Sequence, residues 1–290
     1  MPELHEVETV RIGLSGLLPG KVVASETHDF PKGFPNAEVD VANFLIGATV
    51  ATVRRRAKVL LIDLNTQYTL VIHLKMTGQL VFRSKTAAFG AGHPNDSLVG
   101  ELPDKSTRVT LTFADDSKLF FNDQRKFGWM RLLPTVEVEQ LDFFKKVGPE
   151  PLAKDFTAQA FIARLERRKN SGIKAVLLDQ TVVAGIGNIY ADESLWGAKI
   201  HSESKVVDIP NAKLKTLFSE LQAVLRMAIE KGGSTDRNYV SAEGKRGSYL
   251  SFARAFRREG QPCPRCGTTI IKFRAAGRGT HICPHCQVKE

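Results

Sequence analysis

The chain has 290 residues, more than one compact core needs, which points to two domains with a small appendage. Hydrophobic residues make up 42% and charged residues 25%, which excludes a largely disordered chain. With 41 Lys and Arg against 31 Asp and Glu the formal net charge is +10, a surplus that suits an anionic partner, nucleic acid foremost, although solubility alone also accounts for it. No run reaches the roughly 20 apolar residues of a membrane span, and the N-terminus lacks a basic-then-apolar signal, so the expected setting is the cytoplasm.

Residues 3–18 place Leu4, Val7, Val10, Leu14, Leu17 and Leu18 at helical spacing, and Pro19-Gly20 ends the segment. The next hundred residues change character. Short apolar and β-branched stretches follow one another at 21–26, 49–54, 59–64, 68–73, 108–113 and 118–122. Polar turns such as Asn65-Thr66-Gln67 separate them, and the pattern predicts an antiparallel sandwich or barrel. Residues 84–104, with Gly90, Gly92, Pro94, Asn95 and Asp96, read as loop. After Gly148-Pro149-Glu150-Pro151, helices are predicted over 157–168, 173–179, 188–197 and 211–231. The last carries Leu214, Leu217, Phe218, Leu221, Val224, Leu225 and Ala228 on one face. Gly232-Gly233 closes it, and the polar stretch 234–247 reads as a loop.

All four cysteines lie near the C-terminal end, as Cys263-Pro-Arg-Cys266 and Cys283-Pro-His-Cys286, two knuckles with sixteen residues between them. Each CxxC turn aims two thiolates at one point. The pair predicts one structural zinc ion held by Cys263, Cys266, Cys283 and Cys286, with no position left open for catalysis. Two disulfides fit less well, because the tail is poor in apolar core and a metal would stabilise it. Between the knuckles, Lys272, Arg274, Arg278 and His281 form a basic set on a rigid hairpin, suited to phosphate contact.

Met1-Pro2-Glu3 is unremarkable alone, since proline suits a helix start. Its company changes that. The strings MPELHEVETV, RRRAKVLLIDL, HLKMTGQL, DQRKFG, VGPEPL, LLDQTVVAGIGNIYADESLWGAKIH, GGSTDRNYV and the terminal cysteine ribbon occur in order over nearly the whole chain. Together they resemble the formamidopyrimidine-DNA glycosylase and endonuclease VIII family. The resemblance implies a base-excision repair enzyme, a DNA glycosylase with apurinic/apyrimidinic-site lyase activity, that excises oxidised purines such as 8-oxoguanine and formamidopyrimidines. With Met1 removed, Pro2 would present a secondary amine as nucleophile. An α-amino group has a pKa near 8, so an appreciable neutral fraction exists at physiological pH. Attack at the sugar C1′ forms a Schiff base, and β,δ-elimination follows. Glu3 is the implied acid/base, although an acid in a first helical turn also suits the helix dipole.

The resemblance implies further roles. Lys58 would approach the lesion phosphate and assist base release, and Arg278 would grip the phosphates and serve δ-elimination. His73 and Asn188 would complete a phosphate clamp, Asn188 being by position also an N-cap candidate. Asn170 and Lys174 would line the same groove. Met76, Arg125 and Phe127 match residues inserted when a base is everted: Met76 fills the vacated position, Phe127 wedges beside the orphaned base and Arg125 reads its edge. By residue type alone Met76 and Phe127 suit a core. Thr235, Arg237 and Tyr239 fall in a loop implied to cap the everted lesion, which favours the oxidised-purine branch.

Four positions depart from the family pattern. His5, Gln124 and Ser202 stand where proline is usual, and Lys75 where glycine is usual. Lys75 is expected to add a phosphate contact, and Gln124 to loosen the turn that presents Arg125. The expected fold class is α+β and multidomain. An N-terminal helix with an antiparallel β-sandwich would occupy 1–134, a helix-two-turn-helix domain with the capping loop 142–245, and a four-cysteine zinc ribbon 250–290. The expected partner is double-stranded DNA containing oxidised bases or abasic sites, bound by a nucleoid-associated monomer with no membrane involved. Two alternatives stay open: an oxidised-pyrimidine glycosylase of the endonuclease VIII type, and a non-catalytic zinc-ribbon DNA-binding protein.

Overall fold

The computed structural model describes residues 3–93, 95–231 and 249–290; Pro2 and the loop residues Thr235, Arg237 and Tyr239 lie outside them. Residues 3–145 form one compact unit, and residues 146–230 with 249–290 form another, so the cysteine ribbon shares a unit with the helices. Among the described residues no helix is long and apolar enough to cross a membrane.

The first unit opens with α1 (Leu4–Ser15), whose Val7, Val10 and Leu14 are buried as the helical spacing predicts. Glu3 is its N-cap and forms a capping box with Glu6, which satisfies two of the orphan amides of the first turn. Nine strands follow: β1 (Val23–His28), β2 (Val50–Arg56), β3 (Val59–Leu64), β4 (Tyr68–His73), β5 (Gly78–Arg83), β6 (Ala88–Gly92), β7 (Thr107–Phe113), β8 (Lys118–Asp123) and β9 (Trp129–Pro134). They make two antiparallel sheets, ordered β1-β7-β8-β5-β6 and β2-β3-β4-β9. Leu60, Ile62, Leu70 and Ile72 of the second sheet share one apolar core with Leu80, Phe82, Leu111, Leu119 and Phe121 of the first, and α1 packs into the same core. At the closest approach of α1 and β6, a Cβ on Gly13 would lie 2.1 Å from the Phe89 ring. Any larger residue there would push the helix off the sheet.

The predicted bounds of β3 and β4 hold to the residue, but 84–104 is not all loop: Ala88–Gly92 pairs with β5 from Arg83↔Ala88 to Gln79↔Gly92. Two glycines in five residues depress the local strand signal. The partner strand overrides it. β5 and β9 also lack a sequence forecast.

The second unit holds α2 (Ala158–Glu166), α3 (Ile173–Leu178), α4 (Asn188–Gly197) and α5 (Asn211–Glu230), each within two residues of its predicted span. Thr157 caps α2, its Oγ1 accepting the Ala160 amide at 3.2 Å. The seven apolar residues forecast on one face of α5 are all buried against Phe161, Leu177, Tyr190 and Leu195. The strands β10 (Ile271–Ala275) and β11 (Arg278–Ile282) form a hairpin, and Cys263 and Cys283 pack with Ile270 and Ala255 around Trp196 of α4.

Candidate active site

In the first unit, local structure brings Glu3 and Lys58, two of the residues expected to be catalytic, to one end of α1. Glu3 is 7% exposed at the N-cap, next to Pro2, with its own N–H donating to Glu6 Oε2 at 2.8 Å. Lys58 is the second residue of the tight turn between β2 and β3, whose first residue, Ala57, takes a left-handed φ of 53°. That turn is tied to α1 by Arg55, which donates from Nε to Glu8 Oε2 and from Nη1 to the Ala57 carbonyl, both at 2.8 Å. Lys58 is itself buried, and its charge bears on both His5 and His73. His5 is fully buried in the first turn of α1; burial first and the Lys58 ammonium second hold its pKa at about 3, so the ring is neutral at physiological pH.

His73 ends β4 opposite Val59, the neighbour of Lys58. Burial, then Lys75 and Lys58, lower its pKa to about 3. Its Nδ1 accepts the Lys75 amide at 3.1 Å, so the ring proton of the neutral form resides on Nε2. A neutral N–H donor suits a phosphate oxygen without bringing a charge into the site. Met76 is half-buried in the turn from Leu74 to Gly78, whereas Arg125 and Phe127 are exposed on the loop between β8 and β9, the guanidinium 4.8 Å from the Phe127 ring. An exposed Phe127 at 52% is no core residue; the bland reading by residue type does not apply to it.

The second unit gathers a different set. Asn188 opens α4, but the N-cap is Gly187, and the Asn188 amide instead donates to the Gly279 carbonyl at 2.9 Å, beside Arg278. Arg278 is exposed at the start of β11, and Asn170 is exposed in the turn after α2. Lys174 differs from expectation: it is wholly enclosed, with Nζ 2.6 Å from Asp192 Oδ1 and 2.8 Å from Thr280 Oγ1. A buried ammonium needs such a partner, so this one serves the protein interior rather than an external phosphate. His281 departs in the same way. It is 3% exposed, with Nδ1 3.2 Å from Asp192 Oδ2 and Nε2 3.2 Å from Glu259 Oε2.

Residues 1–130 match the formamidopyrimidine-DNA glycosylase N-terminal domain, 147–239 the formamidopyrimidine-DNA glycosylase H2TH domain, and 260–288 the zinc finger found in FPG and IleRS. The chain is 41% identical over 290 residues to the formamidopyrimidine-DNA glycosylase of Pediococcus pentosaceus, covering 99% of each. The chain belongs to the formamidopyrimidine-DNA glycosylase family. Its fold is that of a Lactococcus lactis Fpg variant solved with DNA containing Fapy-dG, at a TM-score of 0.87 and 34% identity over 99% of this chain and 100% of that one. The L. lactis Fpg solved with abasic-site DNA is equally similar, at a TM-score of 0.87, 34% identity and the same shares of the two chains.

Membership of the formamidopyrimidine-DNA glycosylase family makes the chain a DNA glycosylase of base excision repair, and implies zinc at the ribbon. The residues fit the ion. The four cysteine sulfurs lie within 4.8 Å of one another, and Cys266 Sγ is 3.4 Å from both Cys283 Sγ and Cys286 Sγ. Four thiolates 2.3 Å from a tetrahedral zinc stand about 3.8 Å apart. Hydrogen bonding from Thr268 lowers the Cys266 thiol to about 6, whereas burial pushes Cys283 up to about 12 and raises Cys286, so the fit rests on the converging sulfurs. With four protein ligands the ion would hold the hairpin that carries Arg278, and no reaction step passes through it.

The family's sequence pattern did not point to three residues that organise these positions: Asp123, Thr77 and Asp192. A weak signal existed for the two aspartates. Asp192 and Glu193 sit in a helix otherwise buried and apolar, where a charge implies a hidden partner. Asp123 precedes a short polar loop, a place where aspartate commonly folds the following backbone. The Asp123 carboxylate accepts the amides of Arg125, Phe127 and Gly128 at 3.1, 2.8 and 2.6 Å. These three bonds brace the turn in which Gln124 sits.

Proposed function

We propose that this protein is a bifunctional glycosylase and lyase acting on oxidised purines in duplex DNA, with the Pro2 amine as nucleophile. The observation that carries the proposal is the first turn of α1, where a buried Glu3 follows Pro2 and the buried Lys58 and neutral His73 adjoin. The family relatives solved with Fapy-dG and abasic-site DNA support the same substrate class.

The chemistry follows from these groups. The neutral Pro2 nitrogen attacks C1′ and the bond from C1′ to the base breaks, the base departing with that electron pair. The ring C1′–O4′ bond opens, O4′ takes a proton supplied through Glu3, and the amine, having lost its proton, becomes an iminium. The iminium withdraws electrons, so a C2′ proton leaves and the 3′ phosphate is expelled; a second elimination expels the 5′ phosphate. Water then hydrolyses the iminium, releasing the sugar fragment and restoring Pro2. Lys58 offsets negative charge as it develops on the phosphates. His73 would donate to a phosphate from Nε2, and Asn188 with Arg278 would present donors on the ribbon side. Lys174 would act there indirectly, by holding the Gly279–Thr280 backbone. Met76, Arg125 and Phe127 would occupy the duplex after eversion of the base, with Thr235, Arg237 and Tyr239 over the lesion. Such an enzyme would work on the nucleoid.

Borohydride trapping on a duplex with one 8-oxoguanine opposite cytosine tests the proposal. The wild type is expected to form a covalent adduct that Pro2→Gly and Glu3→Gln lose or sharply reduce. An adduct with thymine glycol only would assign the oxidised-pyrimidine substrate instead. No adduct with either, despite tight binding and a free Pro2 amine, would leave a DNA-binding protein without this chemistry.

A further inference from the structure

A residue inserted into DNA is effective only if its loop is already in place, because a mobile loop must be ordered at the moment of binding. The loop bearing Arg125 and Phe127 is exposed from Gln124 to Phe127, and Lys126 at its apex has a left-handed φ of 57°. Nothing in the residue types of 124–127 stiffens such a loop. The restraint comes from beneath. Asp123, fully buried at the end of β8, turns its carboxylate back under the loop. Oδ1 accepts the Arg125 amide and Oδ2 those of Phe127 and Gly128, at 3.1, 2.8 and 2.6 Å. Gly128 is needed for that approach, since a Cβ there would lie 2.6 Å from the Phe121 ring.

The same carboxylate reaches the second inserted element. The Thr77 hydroxyl donates to Asp123 Oδ1 and accepts the Arg125 amide at 3.1 Å. Thr77 is the residue after Met76, in a turn closed by the Gly78 amide on the Leu74 carbonyl at 2.8 Å. Within that turn, the Lys75 amide donates to His73 Nδ1 at 3.1 Å. One hydroxyl and one carboxylate thus join two loops 46 residues apart in sequence, and the joint is buried while Arg125 and Phe127 are exposed and Met76 is half-buried.

We propose that Thr77 and Asp123 are positioning residues that make Met76, Arg125 and Phe127 a single preformed wedge, and that discrimination of the base opposite the lesion depends on this joint. The proposal rests on the glycosylase function proposed above. It assigns to a buried side-chain pair the stiffness that a proline at 124 would otherwise supply.

The test is single-turnover excision of 8-oxoguanine opposite cytosine and opposite adenine, with borohydride trapping at a preformed abasic site alongside, at a temperature where each protein is fully folded. Thr77→Val and Asp123→Asn are expected to slow excision by roughly tenfold to a hundredfold, the scale of a misplacement of about 1 Å. The cytosine-to-adenine rate ratio should fall toward one, while trapping at the abasic site, which has no base to evert, stays at the wild-type level. Thr77→Ser should restore both rate and ratio. In an Arg125→Ala background Thr77→Val should alter the ratio no further, because it acts through Arg125. If Thr77→Val excises at the wild-type rate with the wild-type ratio, the joint has no positioning role. The same follows if abasic-site trapping falls in parallel with excision, since the defect is then general. Should Asp123→Asn fail to fold, Thr77→Val and Thr77→Ser decide the matter alone. A wild type that neither excises nor traps overturns the glycosylase proposal and this one with it, whereas a trapping wild type with unaffected variants overturns this one only.

Discussion

Asp123 in the sandwich and Asp192 on α4 are both wholly buried carboxylates, and the protein satisfies them by opposite means. Asp123 is surrounded by dipoles: three backbone amides and the Thr77 hydroxyl. Asp192 is matched by charge and by the hairpin, taking Lys174 Nζ at 2.6 Å on one oxygen and the His281 amide at 3.0 Å on the other. The first arrangement shapes a loop that faces outward. The second fastens the ribbon to a helix and faces nothing. The contrast separates two tasks that look alike in sequence: a carboxylate held by dipoles can be lost with its loop while the core survives, but losing one partner of a buried ion pair strands the other charge.

Zinc removal should have the largest effect and should be confined to the second unit. Structural zinc sites in finger peptides are worth about 10–16 kcal/mol, and here the thiolate cluster packs against Trp196. In a Trp129→Phe protein, chelation should shift Trp196 emission and abolish DNA cleavage; in a Trp196→Phe protein, Trp129 emission in the sandwich should stay unchanged. A shift in Trp129 emission would show that the effect of zinc is not confined to the second unit.

Next comes the ion pair. Asp192→Ala strands the Lys174 ammonium and should lower the stability of the second unit by about 3–5 kcal/mol in urea unfolding followed at Trp196. Replacing the pair together, Asp192→Leu with Lys174→Met, should recover most of the loss. A double variant as unstable as the single one would show that Asp192 acts through the His281 backbone instead. By contrast Asp123→Asn leaves no stranded charge, and its cost should be about 2 kcal/mol, the scale of hydrogen bonds to a charged acceptor. A larger loss than Asp192→Ala would invert the comparison.

The last effect is graded with pH, belongs to the sandwich and is small only near neutral pH. His5 and His73 are held neutral with folded pKa values of about 3, against an ordinary 6.5. Between those values the unfolded chain binds more protons, so stability is complete above pH 6.5 and falls as pH drops toward 3. Each histidine contributes about 1.4 kcal/mol per pH unit. His5→Gln should remove its share of the slope between pH 6.5 and 5, measured from the urea dependence of Trp129 emission. An unchanged slope would mean that the His5 ring is already protonated in the fold.

Much of this protein is readable before folding because its information is local. Val59–Leu64 and Tyr68–His73 are short, largely apolar runs buried along nearly their whole length, α5 repeats its apolar face at 3.6-residue spacing, and the two CxxC knuckles announce one metal site. The glycines of β6 hid a strand, because pairing with β5 decides it and no local preference does. Candidate site residues were readable by type, yet their surroundings were not. Lys174 and His281 look like phosphate contacts on a basic segment and turn out to be internal, each matched to Asp192.

What the order of amino acids settled alone was most of the elements and the metal knuckles. Only the folded chain decided which polar groups are enclosed and by whom they are met. Lys174 finds Thr280 across 106 residues, and Thr77 finds Asp123 across 46. The reason is energetic: a buried charge or amide is tolerable only beside its partner, and partners so distant are supplied by packing, not by periodicity.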